Sequence, residues 1–196
     1  MARVPPRSQP VVILHGWGGS PPEHWQSWLA GRLTDSGHEV RYPTLPAPDE
    51  PVLVDWLAAL NATLSGLPAD GYDVVCHSLA VPLWLHRAAS GPVHPRPARV
   101  LLVAPPTPAT TIPELRTFVP VPLDIDAVRA AADGTLLVCS DNDEHCPEGA
   151  AHSYGRPLKI PVTLLPGAGH INVAAGYGPW PAVEQWCDRP NLAFPL

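Results

Sequence analysis

No run of about 18 apolar residues occurs in the 196-residue sequence, so it offers no helix of membrane-spanning length. Basic charge is also scarce. Twelve Lys and Arg face eighteen Asp and Glu, the formal net charge is -6, and no basic block appears, which argues against a nucleic-acid or anionic-membrane partner. The four cysteines, Cys76, Cys139, Cys146 and Cys187, form no C-x-x-C and have no histidine at metal-ligand spacing, so no zinc site is expected. Cys76 and Cys139 each end an apolar run, where cysteine acts as a small buried hydrophobe, and free thiols in a reducing compartment follow. Glycine is missing where it would be most telling: in VVCHSLA, Val74 to Ala80, Cys76 and Ala80 occupy the glycine positions of the G-x-S-x-G turn that presents a nucleophilic serine.

Elsewhere glycine (15) and proline (28) are plentiful, but they are scattered between apolar segments as loop punctuation. Residues 1–10 carry two arginines with no apolar stretch behind them to form a signal-peptide core, and read as a disordered tail. Residues 11–196 suit a single domain with one core. A soluble, cytoplasmic protein is the simplest expectation.

Short runs rich in Val, Leu and Ile alternate with longer amphipathic segments, the pattern of a parallel sheet covered by helices. Strands are expected at Val11 to Leu14, Glu39 to Tyr42, Tyr72 to Cys76, Arg99 to Ala104, Thr135 to Cys139 and Val162 to Leu165. Several are continuously apolar, as strands buried on both faces should be. Helices are expected over Pro21 to Ser36, Pro51 to Leu64, Leu79 to Ala89, with Pro82 in its first turn, and Pro181 to Cys187. Pro105 to Ala127, dense in proline and threonine, reads as a loop crossing the carboxyl ends of the strands, where open α/β folds bind ligands.

Ser78 falls between a strand and a helix, the placement a nucleophile elbow requires. A serine hydroxyl needs a general base, and the base needs a carboxylate to hold its tautomer. His170, in PGAGHIN after the last strand, and Asp143, in CSDNDEHCP after the fifth, supply those types in the order Ser, Asp, His. Asp141 competes for the acid role and His145 for the base. The first strand runs into LHGWGG, where the Trp17 N–H, with that of Leu79 after the serine, would form an oxyanion hole. His15, Gly16, His77, Cys146 and Trp180 adjoin these loops and are candidate pocket residues; Trp17 also borders the pocket. His24, His38, His86, His94 and His152 read as surface or helix residues without chemistry. The tryptophans of the first two helices read as core.

Together HGWGGSPPEHWQSWL, VVCHSLA, LLVAPP, SDNDEHCP and GAGHINVAAGYGPWP resemble the small, lidless serine hydrolases of the α/β-hydrolase superfamily, the group of YdeN-like bacterial proteins and retinoblastoma-binding protein nine. The resemblance runs from about Val11 to Trp186. It implies a three-layer α/β/α sandwich, a truncated α/β-hydrolase fold of about six parallel strands in the order 2-1-3-4-5-6, with no cap domain. It places the nucleophile on Ser78, the acid on Asp143, whose spacing to Pro147 matches the superfamily, and the base on His170. It implies no metal or organic cofactor. Ala80 departs from the family's glycine and adds a methyl where helix and strand pack closely, which costs on the order of 1 kcal/mol if unrelieved.

The expected function is hydrolysis of a small ester, thioester or activated amide through an acyl-enzyme, with a small-molecule acyl substrate. Two rivals stand beside it: an interaction protein that keeps the fold without useful turnover, and an acyltransferase or cyclase that uses the same triad but excludes water.

Overall fold

Six strands form the centre of the molecule: β1 (Val11–Leu14), β2 (Val40–Arg41), β3 (Asp73–His77), β4 (Arg99–Val103), β5 (Gly134–Ser140) and β6 (Val162–Leu165). All pair in parallel, in the order 2-1-3-4-5-6. The structure is a computed structural model that describes residues 9–69, 71–189, 194 and 195. The expected N-terminal tail lies outside the described residues except for Gln9 and Pro10.

The period-2 alternation of a strand divides the core into two layers. Val12, Leu14, Val74, Cys76, Val100, Leu102 and Leu137 face one side, packing with Trp56, Leu60 and Leu64 of α2 (Leu53–Leu64), with α3 (Ala80–Ala89) and with Val128 of α4 (Ile125–Ala131). Val11, Ile13, Val75, Leu101, Val103 and Val138 face the other, against α1 (Trp25–Asp35) and α6 (Pro181–Asp188). Because β1 and β3 are buried along their whole length, their sequences are nearly all apolar and carry no alternation. Edge strand β6 is half-exposed and includes the exposed Val162 and Leu164.

Several boundaries differ from the sequence expectation. The proline doublet Pro21–Pro22 belongs to a turn, and α1 begins only at Trp25. His24 is its N-cap, with Nδ1 accepting the Gln26 N–H at 3.2 Å. The Pro105 to Ala127 loop is more ordered than its composition suggests. It contains a 3-10 turn, Pro113–Phe118, and leads into α4, whose N-cap Asp124 accepts the N–H groups of Asp126 and Ala127. Asp followed by an apolar-periodic stretch was a legible helix start, masked by the preceding prolines. A π-helical turn, Ala151–Gly155, running into the short α5 (Arg156–Leu158) also went unanticipated. Pro82 does lie in the first turn of α3, where its missing N–H costs nothing.

At the amino ends of the strands, away from the expected site, Asp73 pairs with Arg99 across the β3–β4 register. Burial pushes the Asp73 carboxyl up, and the Arg99 guanidinium works against that shift. Arg99 also lies 4.0 Å from the Trp186 ring centroid and donates to the Trp186 carbonyl, so it ties α6 to the sheet. Replacing Arg99 with Met should cost about 3 kcal/mol in urea unfolding at pH 7, because it strands a buried carboxylate. The unpaired carboxyl's folded-state pKa would lie above its unfolded value, so the deficit should shrink as pH falls and Asp73 is protonated in both states.

Candidate active site

The chain enters the site through the turn after β3. Ser78 takes φ of 55°, a left-handed conformation uncommon for a side chain larger than glycine. Its amide is anchored to the Val103 carbonyl at 2.9 Å and its carbonyl accepts the Val81 N–H at 2.9 Å. This turn forms despite Cys76 and Ala80. Both are wholly buried in the same hydrophobic layer, and Ala80 opens α3 directly after the turn.

Above the sheet a hydrogen-bonded row connects three loops. His170 Nε2 lies 2.9 Å from Ser78 Oγ, and His170 Nδ1 lies 2.9 Å from Asp143 Oδ2 and 3.0 Å from Oδ1. Nδ1 faces only carboxylate oxygens there, so it carries the ring proton and leaves Nε2 free to accept from the serine. His170 and Asp143 are both buried. Asp141, the competing acid, does not reach the ring; its Oδ1 accepts the Gly167 N–H at 2.8 Å. Asn142 Oδ1 accepts the Gly169 N–H at 2.7 Å. Three consecutive side chains after β5 thus each grip the loop that carries His170, a lacing that one-dimensional spacing did not reveal.

His145 is not placed as a base. Its backbone N–H donates to Asp143 Oδ1 at 2.9 Å, and its ring stands edge-on to His170 with centroids 4.2 Å apart. The His145 carbonyl accepts the Thr107 N–H at 2.7 Å, joining the loops after β4 and β5.

A cavity of about 550 Å³ opens over this row, lined by Gly16, Trp17, His77, Ser78, Leu79 and His170 and by residues of the loops after β1, β4, β5 and β6. Its lining residues include one carboxylate, Glu144, and no Lys or Arg. The Trp17 and Leu79 amides have no backbone acceptor among the described residues, and both residues line the cavity. Gly16 lies against the serine: a Cβ there would fall 2.7 Å from Ser78 Cβ and 3.1 Å from Ser78 Oγ.

Three expected pocket residues lie outside the lining. His15 is buried behind it, Nδ1 donating to the Gly16 carbonyl at 2.8 Å and Nε2 accepting the Leu45 N–H at 2.9 Å, so it fixes loops. Cys146 is buried with its sulfur 3.4 Å from Ser153 Oγ, and burial pushes its thiol up to about 11. Trp180 packs edge-on to Trp25 at 5.1 Å and belongs to the core on the α1 and α6 side. His77 does border the cavity, and its Nε2 donates to the His170 carbonyl at 3.0 Å. Burial, with the nearby His170 and His24 rings as further causes, holds it well below the usual imidazole range, so the ring donates in its neutral form. His24, expected to be an inert surface residue, is instead buried and lines the cavity. Among the described residues no helix is long and apolar enough to cross a membrane, and no cluster of side chains could hold a metal ion.

A parallel sheet in this order, with a serine on the turn after β3 and loops converging at the strands' carboxyl ends, is the α/β-hydrolase fold. The chain belongs to the serine hydrolase family, whose sequence profile matches residues 11–189. It is 25% identical over 176 residues to YdeN of Bacillus subtilis (strain 168), described as a hydrolase, covering 88% of this chain and 91% of that protein. The crystal structure of YdeN superposes with a TM-score of 0.77 at 23% identity, covering 90% of this chain and 95% of YdeN. A YdeN-like hydrolase of Pectobacterium atrosepticum gives 0.74 at 23% identity, over 95% and 94% of the two chains. A thioesterase domain from the curacin biosynthetic pathway shares the fold at a TM-score of 0.63 and 16% identity, over 93% and 91%.

Proposed function

We propose that the protein cleaves a small ester, thioester or activated amide through an acyl-enzyme. Ser78 attacks the carbonyl while His170 takes its proton through Nε2 and passes it to the leaving group. Asp143 holds the ring's tautomer and stabilises the imidazolium. The Trp17 and Leu79 amides bind the oxyanion, and water activated by His170 then releases the acid. The observation that carries this reading is the unbroken Ser78, His170, Asp143 row beneath an open cavity. A lining with one carboxylate and no cation favours neutral substrates over anionic ones. The described connection from β4 to β5 contains only a 3-10 turn and α4, so nothing like a cap encloses a long acyl chain.

The test is labelling with a fluorophosphonate, in wild type and in His170→Ala. Wild type should label at a single serine within minutes and His170→Ala far more slowly. A folded wild type that stays unlabelled would overturn the reading in favour of a protein without turnover. Short p-nitrophenyl esters, assayed with and without alcohol or amine acceptors, then separate hydrolysis from transfer. In the same assay Gly16→Ala should lower kcat/KM about 100-fold, because its methyl must displace the serine side chain and a misplacement near 1 Å costs that much.

A further inference from the structure

His24 has one ring nitrogen engaged and the other unspent. Nδ1 accepts the Gln26 N–H, so in the neutral ring the proton resides on Nε2. Nε2 has no hydrogen-bond partner among the described residues, although the side chain is more than nine-tenths buried. Nε2 is not among the side-chain atoms sealed from solvent without a partner, so it is open to a ligand or water, and this ring borders the cavity over Ser78. Its position follows from a row of imidazoles: the His24 and His77 centroids are 4.9 Å apart, and those of His77 and His170 are 5.1 Å apart. The neighbouring Trp25 Nε1 donates to the Ile171 carbonyl at 2.8 Å, fastening the start of α1 to the loop that carries His170. His24 therefore stands on the His170 side of Ser78. In a serine mechanism the leaving group departs on that side, because the base must hand it a proton.

We infer that His24 is a substrate-binding residue whose Nε2–H donates to an uncharged oxygen, an ether, hydroxyl or carbonyl, on the leaving-group portion of the acyl substrate. This rests on the hydrolase reading above and adds to it a class of leaving group: alcohols or thiols bearing an uncharged oxygen a few bonds from the oxygen or sulfur of the scissile bond. Burial, with the positive charge His170 can carry as a second cause, lowers the His24 pKa to about 4, so the ring stays a neutral donor at working pH.

Two substitutions separate the ring's two roles. His24→Asn keeps an acceptor near Nδ1 for the helix cap but cannot reach the cavity. His24→Gln places an amide N–H near the position of Nε2 but gives up the cap. The substrates are 2-methoxyethyl acetate and butyl acetate, leaving groups of nearly equal shape that differ by one ether oxygen, with acid release followed at constant pH. Wild type should favour the ether ester about tenfold in kcat/KM. His24→Asn should lose that preference while keeping its melting temperature. His24→Gln should keep the preference even though its melting temperature falls. Equal treatment of the two esters by wild type, or a preference that survives in His24→Asn, overturns the inference. So does a wild type that labels with fluorophosphonate but hydrolyses neither ester. A wild type that fails to label overturns the hydrolase reading itself, which keeps the two failures apart.

Discussion

Ser78→Ala is expected to lower kcat for a short p-nitrophenyl ester by about 10⁵- to 10⁶-fold, as removal of a triad nucleophile does. That corresponds to roughly 7–8 kcal/mol of transition-state stabilisation. The melting temperature should barely move. Ser78 Oγ has its hydrogen bond to His170 and is otherwise at the cavity surface, and the bonds that hold the turn run through the Ser78 backbone. A variant that loses fluorophosphonate labelling while melting like wild type would isolate the hydroxyl as the reacting group. Labelling that persists in Ser78→Ala would mean that another serine reacts.

Asp143→Asn should cost about 10⁴-fold in kcat, through the tautomer. Asp143 Oδ1 already accepts the His145 N–H at 2.9 Å. An asparagine must therefore keep its carbonyl oxygen on that amide and turn its NH₂ toward His170 Nδ1. Nδ1 would then have to accept, the ring proton would move to Nε2, and Nε2 could no longer take the proton from Ser78. Asp141→Asn should cost less than about tenfold, because its amide oxygen can still accept the Gly167 N–H. The measurement is kcat for both variants at the same pH, and comparable losses would reject Asp143 as the orienting group. The contrast is useful because the two aspartates are two residues apart and chemically identical.

That Ser78, Asp143 and His170 meet in one hydrogen-bonded row was legible because chemistry and topology constrain the same positions. The proposed mechanism needs a particular functional group at each, and each follows a strand whose apolar run is visible in the sequence. The choice between Asp141 and Asp143 was not settled by residue type. It depends on which carboxylate the Ser140 to Asp143 turn directs at the imidazole, and that is set by backbone conformation after β5 together with the Gly167 to His170 loop it grips. The burial of His24 is hidden from the sequence for a related reason. Histidine is outside the usual capping residues, so nothing in PPEHWQ marked it as the cap of α1, and its burial follows from Trp25 docking against Ile171, 146 residues away. The expected pocket roles of His15, Cys146 and Trp180 fell to the same limit: adjacency along the chain placed them near the site, but their side chains are spent on loops and core.

The sequence by itself determined the sheet and the candidate residues of the site, since strand burial writes itself as apolar runs and a serine, an aspartate and a histidine each follow a strand in a feasible order. Only the tertiary structure decided which aspartate meets His170, which histidines face the cavity and which neighbouring residues line it. Those outcomes depend on where loops distant in sequence converge and on which hydrogen bond each side chain has already made, and neither is encoded in local spacing.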